Sequence, residues 1–314
     1  MRILYFGTST FALPALRALV DQGHTVVAVV TQPDRPAGRG GKLTTPPVKE
    51  LAVQLGLPLL QPESCRAPEF LDTVRELAPG LSVVAAYGQF LPDALLTLPR
   101  FGSVNLHGSL LPKYRGAAPI QHAIMAGDEK TGVCLMWMVR QMDAGDVIAC
   151  AETPIAPEDT GGTLMERLSV LAADLLLAWL PAIEQGTAPR TPQDPDLVTF
   201  ASAIGKKERD IIWSQPAVAS WRRIRALAPS PAAVTTFRGQ PVKILAAQPD
   251  NRMPSRMEKP GEIVDIIAPT GPLVATGDGV LQLLTLQPAG KRPMSGADFV
   301  RGYRVTIGES FGEE

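Results

Sequence analysis

Residues 2–31 read Arg2-Ile3-Leu4-Tyr5-Phe6-Gly7-Thr8-Ser9-Thr10-Phe11-Ala12-Leu13-Pro14-Ala15-Leu16-Arg17-Ala18-Leu19-Val20-Asp21-Gln22-Gly23-His24-Thr25-Val26-Val27-Ala28-Val29-Val30-Thr31. The apolar run 2–6 predicts a strand, and Gly7-Thr8-Ser9 a turn. Thr10 can cap a helix that carries Phe11, Leu13, Leu16, Leu19 and Val20. Residues 24–31 then form a second strand, rich in valine as a strand buried on both faces should be. Residues 57–60 and 81–86 continue the series, separated by amphipathic helical stretches. Strands alternating with helices predict an α/β domain built on a doubly wound, Rossmann-like parallel sheet. Ligands of such sheets bind beyond the carboxyl ends of the strands. The first turn is not Gly-x-Gly-x-x-Gly, so the dinucleotide fingerprint is missing.

Further on, Gly102-Ser103-Val104 reads as the end of a strand, followed by Asn105-Leu106-His107-Gly108-Ser109-Leu110-Leu111-Pro112-Lys113-Tyr114-Arg115-Gly116-Ala117-Ala118-Pro119-Ile120-Gln121. Asn105 and His107 are two apart, so on a strand end they point to one side. Gly108 permits a turn, and Pro112, Gly116 and Pro119 impose an ordered loop. An amide and an imidazole aimed together at a strand end can polarise a carbonyl and move a proton. Taken singly, each is as readily a turn asparagine or a hydrogen-bonded core histidine.

The segment Asn-x-His-x-Ser-Leu-Leu-Pro-x-Tyr-Arg-Gly resembles the signature of the folate-dependent formyltransferases. That family carries a third catalytic residue, an Asp within Asp-x-Gly-Asp, which here is Asp143-Ala144-Gly145-Asp146. The resemblance therefore implies Asn105, His107 and Asp143 as the catalytic set. Ser9 stands where the family usually has Pro, and Gln141 where it usually has Gly. The implied formyl donor is 10-formyltetrahydrofolate. Ser109, Leu110, Leu111 and Pro112 would line its pocket, with Tyr87 and Gly88 from 85–92. For Leu110 and Leu111 plain packing is the alternative, and the two are compatible.

Formyl transfer to an amine needs an oxyanion donor and a proton carrier. Asn105 can supply the first, and His107, oriented by Asp143, the second. A metal is not expected, because His107, His122 and Asp143 have no ligand spacing.

Residues 32–49 form a loop rich in Gly, Pro and basic residues. It resembles the loop by which family members acting on methionyl initiator tRNA grip the acceptor arm. Arg35, Arg39 and Lys42 would touch RNA phosphates, with Lys49 adding to the positive charge. A solvated surface loop is the alternative.

The chain has 314 residues, 45% hydrophobic and 19% charged, with a net charge of −1. That length favours two domains. Residues 161–185 predict a long helix, and the Pro-, Thr- and Asp-rich stretch 186–205 a linker, so the catalytic domain spans 1–185. Residues 206–314 hold short strand-like runs at 211–213, 233–237, 242–247, 261–267, 273–275 and 281–287. These predict a small OB-like β-barrel domain. It carries 15 Lys and Arg against 11 Asp and Glu, a balance of +4 that leaves −5 to the rest. Such asymmetry fits a polyanion partner, here a tRNA. No apolar run is long enough for a bilayer, and no signal peptide is evident. Cys65, Cys134 and Cys150 are odd in number and lack Cys-x-x-Cys, which argues against a disulfide framework. A cytoplasmic monomer is expected.

Three readings compete. One is a transferase acting on methionyl initiator tRNA. Another is a formyl-folate hydrolase with the same three residues and water as acceptor. The last is an RNA-binding protein with a degenerate enzyme domain, which the intact Asn105, His107 and Asp143 disfavour.

Overall fold

The computed structural model describes residues 1–37, 42–252 and 258–312. The chain opens with β1 (Arg2–Gly7), α1 (Leu13–Asp21) and β2 (Thr25–Val30). A short hairpin follows, β3 (Arg35–Ala37) and β4 (Lys42–Thr44), then α2 (Pro47–Gln54) and β5 (Leu59–Leu60). Next come α3 (Pro68–Leu77), β6 (Leu81–Ala85), α4 (Asp93–Leu96) and β7 (Ser103–His107). Beyond the loop lie β8 (Arg115–Gly116), α5 (Pro119–Ala126), β9 (Lys130–Trp137) and β10 (Val147–Pro154). The long α6 (Gly161–Glu184) precedes β11 (Phe200–Ala201). The last part holds α7 (Ala217–Leu227), β12 (Ala233–Phe237), β13 (Gln240–Asp250), β14 (Ile263–Ile267), β15 (Gly271–Ala275), β16 (Val280–Pro288), β17 (Met294–Ser295) and α8 (Gly296–Tyr303).

The chain divides into two units. Unit 1 takes Met1–Pro119, Lys130–Pro154 and Met165–Ala201, and unit 2 takes Ile120–Glu129, Ile155–Leu164 and Ser202–Glu314.

Unit 1 is built on a seven-stranded sheet in the order β10-β9-β7-β6-β1-β2-β5. Ile3–Phe6 and Val26–Val30 are buried throughout, so both faces of these central strands are covered. Strands β5, β2, β1, β6 and β7 are parallel, as expected. β9 and β10 are antiparallel to their neighbours, so the sheet is mixed at that edge. The short link of 138–146 explains the antiparallel pairing of β9 with β10. A parallel return needs a crossover of a dozen or more residues. α1 buries Ala15, Leu16 and Leu19 and starts with a proline in its first turn, where a missing N–H costs nothing. Thr10 makes no cap; it begins a separate 3-10 turn before α1.

The antiparallel register sets Cys150 directly opposite Cys134. Their Cα atoms are 4.1 Å apart and the sulfurs are joined as a disulfide. The expectation of unpaired cysteines is therefore corrected. A 16-residue separation has no signature in sequence, whereas cross-strand register decides it. The cysteine count thus says nothing about compartment.

Residues 186–205 are not a free linker in the described structure. Thr191 bridges to Val147, Trp137 Nε1 donates to the Pro189 carbonyl, and β11 pairs in parallel with β8. Composition hid this, because Pro-rich segments without periodicity can still be held through side chains and single bridges.

In unit 2 the strand order is β12-β13-β16-β15-β14, with β17 beside β16. This is the expected OB-like arrangement, and no ladder joins β12 to β14 among the described residues. β12 alternates buried and half-buried residues, as a strand with one covered face should. Trp213, Phe237, Phe299 and Phe311 pack with ring centroids 5.0–6.0 Å apart. Residues 211–213, expected as a strand, are not one. They are anchored by one bridge at Asp210, and the buried Trp213 donates to Thr235 Oγ1.

Candidate active site

Asn105 and His107 lie on β7, His107 being its last residue. Their spacing of two puts both side chains on one face, as expected. His107 is 6% exposed. Its Nε2 stands 2.9 Å from the Tyr114 carbonyl oxygen, and its Nδ1 stands 3.6 Å from Asp143 Oδ2. A carbonyl can only accept, so Nε2 carries a proton and donates. In the neutral ring the Nδ1 lone pair then faces a carboxylate. A proton placed at Nδ1 faces that carboxylate favourably. The pair is thus arranged to take one proton at Nδ1.

Asp143 is itself held. Its Oδ2 accepts from the Gly116 N–H at 2.9 Å. Its backbone sits in the left-handed region at φ 49°, unusual for a residue with a side chain. Gly145 shows why Asp-Ala-Gly-Asp is more than a generic turn: a Cβ there would lie 1.8 Å from the Trp137 carbonyl oxygen. Gly116 is equally required. It has φ 126°, and a Cβ would lie 2.4 Å from the Ala201 oxygen. Gly108, expected to make the turn, is not left-handed; Tyr114 and Gly116 are.

The Asn105 side chain is half-buried and makes no hydrogen bond among the described residues. A donor that is partly shielded yet unengaged is free to meet an oxygen of a substrate. Together the three residues offer an N–H donor beside a proton-accepting pair, as direct acyl transfer needs.

Comparison with known proteins identifies the family of the whole chain. The formyl transferase family model matches residues 1–180, and the model of the formyl transferase C-terminal domain matches residues 203–304. A methionyl-tRNA formyltransferase of Symbiobacterium thermophilum is 46% identical over 99% of this chain and 95% of its own. One of Halorhodospira halophila is 47% identical over 98% of each chain. The chain belongs to the methionyl-tRNA formyltransferases. It is an enzyme of the formyl-transferring class. Solved structures agree in fold. HypX from Aquifex aeolicus, crystallised with tetrahydrofolic acid, superposes with a TM-score of 0.68 at 18% identity, covering 99% of this chain and 48% of that one. The sugar 3N-formyl transferase WlaRD gives 0.66 at 14%, covering 93% and 99%.

The other expected residues are placed unevenly. Leu110, Leu111 and Pro112 are half-buried in the loop after β7. Ser109 is fully buried, and its hydroxyl donates to the Lys113 carbonyl at 2.7 Å, so it closes the loop instead of lining a pocket. The Tyr87 ring also turns inward, with its hydroxyl 3.1 Å from Cys65 Sγ and its ring edge-on to Phe6. Burial pushes both the Tyr87 hydroxyl and the Cys65 thiol up. The Tyr87 carbonyl accepts from Thr8 Oγ1 at 2.7 Å and from Gln32 Nε2 at 3.3 Å, tying the loops after β1, β2 and β6 together. Gly88 has φ 90° and open space around it.

In the basic loop, Arg35 pairs with Glu63 at 3.8 Å, both well exposed. Arg39 and the Lys42 side chain lie outside the described residues. Lys49 does not add free charge, because its Nζ donates to both oxygens of Asp34 at 2.9 and 2.8 Å. Lys49, and then Gln61, hold the Asp34 carboxyl below its usual range. Among the described residues no group of three His, Cys, Asp or Glu side chains could hold a metal. No helix among them is long and apolar enough to cross a membrane.

Sequence reasoning gave no role to Arg115, Gln193 or Thr199, which contact the loops around His107 and Asp143. Gln193 and Thr199 sit in a segment whose composition signals only a linker.

Proposed function

We propose that this enzyme transfers the formyl group of 10-formyltetrahydrofolate to the α-amino group of methionine on methionyl initiator tRNA, for translation initiation. One observation carries the reading: the His107–Asp143 pair is poised to take a proton at Nδ1, beside an Asn105 amide without a partner. The names of the relatives supply the acceptor.

The residues present fit a folate. Asn105 offers an unengaged, half-buried donor, and Leu110, Leu111 and Pro112 offer half-buried apolar surface beside it in sequence. These residues and the backbone at Gly88 would hold the donor. When bound, 10-formyltetrahydrofolate supplies an electrophilic formyl carbon. The Asn105 N–H donates to the formyl oxygen as negative charge grows on it. His107 receives the proton of the attacking amine at Nδ1, with Asp143 Oδ2 stabilising the charged ring, and returns it to the folate N10 as the formyl carbon–N10 bond breaks and tetrahydrofolate leaves. Tyr114 O keeps the ring from rotating by holding Nε2. No covalent bond to the protein is needed.

Unit 2 serves in this reading as a platform for the tRNA body. Exposed Lys206, Lys207, Lys243 and Lys291 have no acidic partner among the described residues. The basic segment 32–49, with Arg35, Arg39 and Lys42, grips the acceptor arm. Incubation with 10-formyltetrahydrofolate, with and without methionyl-tRNA, tests the reading. Formyl-methionyl-tRNA should form, and folate turnover should depend on the charged tRNA. Formate release at the same rate without tRNA would instead identify a hydrolase.

A further inference from the structure

Residues 181–202 fall between the two matched family models. Within them, 189–201 touch both loops that build the catalytic pair. Arg190 stacks over Trp137 with its guanidinium 4.3 Å from the ring centroid, and Trp137 Nε1 donates to Pro189 O. Thr191 and Val147 exchange backbone hydrogen bonds. Gln193 Nε2 donates to the carbonyls of Asp143 and Gly145, each at 2.8 Å. Gln193 Oε1 accepts from Arg115 Nε at 3.0 Å and Nη2 at 2.8 Å. Thr199 Oγ1 accepts from the Tyr114 N–H, and Thr199 O accepts from the Arg115 N–H.

We propose that 189–201 is a strap that sets the His107–Asp143 geometry, and that Gln193 is its main positioning residue. The inference rests on the proposed role of Asp143. Asp143 comes from a loop in a strained backbone conformation, and His107 is aimed by the Tyr114 carbonyl. Gln193 ties the first loop, through its two donors, to the second, through Arg115. Arg115 is 8% exposed and has no carboxylate within ion-pair distance among the described residues. Gln193 Oε1 is therefore the side-chain acceptor that both Nε and Nη2 of this buried guanidinium use. All four polar contacts of one amide group lie between the two loops, so its loss frees both at once. Among the described residues, the strap makes no hydrogen bond to Asn105, Leu110 or Leu111, and only a long Thr199 N–H bond to the Pro112 carbonyl.

The test uses the full chain, with Gln193→Ala, Gln193→Glu, Asp143→Asn and the double variant Gln193→Ala/Asp143→Asn. Gln193→Glu keeps the acceptor for Arg115 but turns a carboxylate toward the Asp143 and Gly145 carbonyls. Both Gln193 variants should lower kcat by about 10- to 100-fold, the scale of an ångström misplacement. KM for 10-formyltetrahydrofolate and for methionyl-tRNA should stay within about twofold, as for lost transition-state alignment. In the Asp143→Asn background, Gln193→Ala should cost less than about twofold, because residues acting through one another are not additive. Parental kcat in Gln193→Ala, rescue by Gln193→Glu, or a full additive loss in the double variant would overturn the positioning role. Parental kcat in Asp143→Asn would instead overturn the reading of the site, and this inference with it.

Discussion

Replacing Gly145 by alanine displaces the Asp143 loop without touching any reacting group. The added Cβ would lie 1.8 Å from the Trp137 carbonyl oxygen, where real contacts do not fall below 3.0 Å. The loop must therefore move by at least about 1.2 Å, the difference between those two distances. Trp137 cannot yield instead. It belongs to β9, its N–H donates to Asp146 O, and its ring is held by Arg190 and Pro189. Asp143 Oδ2 is already 3.6 Å from His107 Nδ1, so the same displacement takes it well out of ion-pair range or against the ring. A misplacement of about 1 Å near reacting groups costs on the order of 10²-fold in rate. Gly145→Ala should therefore lower single-turnover formyl transfer about 100-fold, with folate binding unchanged. Gly186→Ala serves as a control: that glycine also has positive φ, at 71°, but nothing lies within 4 Å of its Cβ position. It should cost about 1 kcal/mol of stability and no activity. If Gly145→Ala, folded and binding folate, transfers formyl within threefold of the parent, the loop does not position the carboxylate.

Asn105→Ala removes the unengaged donor on β7 and should lower the rate about 10²–10³-fold, as for other oxyanion donors, with folate affinity held; a single-turnover rate equal to the parent's would remove its assigned role. His107→Ala should cost roughly 10²–10⁴-fold in the same assay. Glu309 accepts from Arg238 and Thr306 in unit 2, and the Arg238 guanidinium is the main cause that holds its carboxyl down to about 2. A depressed value means the stabilisation is full above the ordinary 4.5 and is lost as pH falls from there through about 2. Arg238 is half exposed, so the contribution is small; Arg238→Ala should be less stable than the parent in urea titrations at pH 7, and the gap should narrow toward pH 3. A gap that stays constant over that range would contradict the assignment. Arg39→Ala should weaken tRNA binding and reduce the salt slope by about one unit, leaving single-turnover chemistry at saturating RNA intact; an unchanged slope would return the loop to a solvated surface.

How far the sequence could be read follows from what each signal depends on. The parallel core was legible because buried strands such as Thr25–Val30 announce themselves by composition. The shared face of Asn105 and His107 was legible from their two-residue spacing, although β7 runs on to His107 and does not end at Val104. Properties set by register or by a distant contact were not. Cys134 and Cys150 meet only because β9 and β10 pair antiparallel in one register. Tyr87 looked like a pocket residue from its loop, yet Cys65 and Phe6 draw its side chain into the core. Lys49 looked like free charge until Asp34 folded onto it. Gln193, four residues past Pro189 in a stretch without periodicity, gives no local sign that it reaches back 50 positions to Asp143.

The loop that carries Asp143 is held largely by residues outside the proposed catalytic set of Asn105, His107 and Asp143. β9 runs antiparallel to β7, with Trp137 opposite Val104 and Cys134 opposite His107. The Asp143 loop therefore leaves the sheet at the amino end of β7, where Met138 N–H donates to Ser103 O. His107 lies four residues beyond Ser103 along β7, about 13 Å at the rise of a strand. A carboxylate that starts at one end of β7 must return over that distance to reach an imidazole at the other. The rule that places ligands beyond the carboxyl ends of parallel strands accounts for His107 and not for Asp143. A nine-residue loop folded back in this way has no strand ladder to fix it. It is fixed instead by Gly145 against Trp137, by the Gly116 N–H on the carboxylate, and by Gln193 on the backbone. Each of these contacts comes from a different stretch of chain, so the placement of Asp143 beside His107 rests on tertiary contacts and not on a local turn.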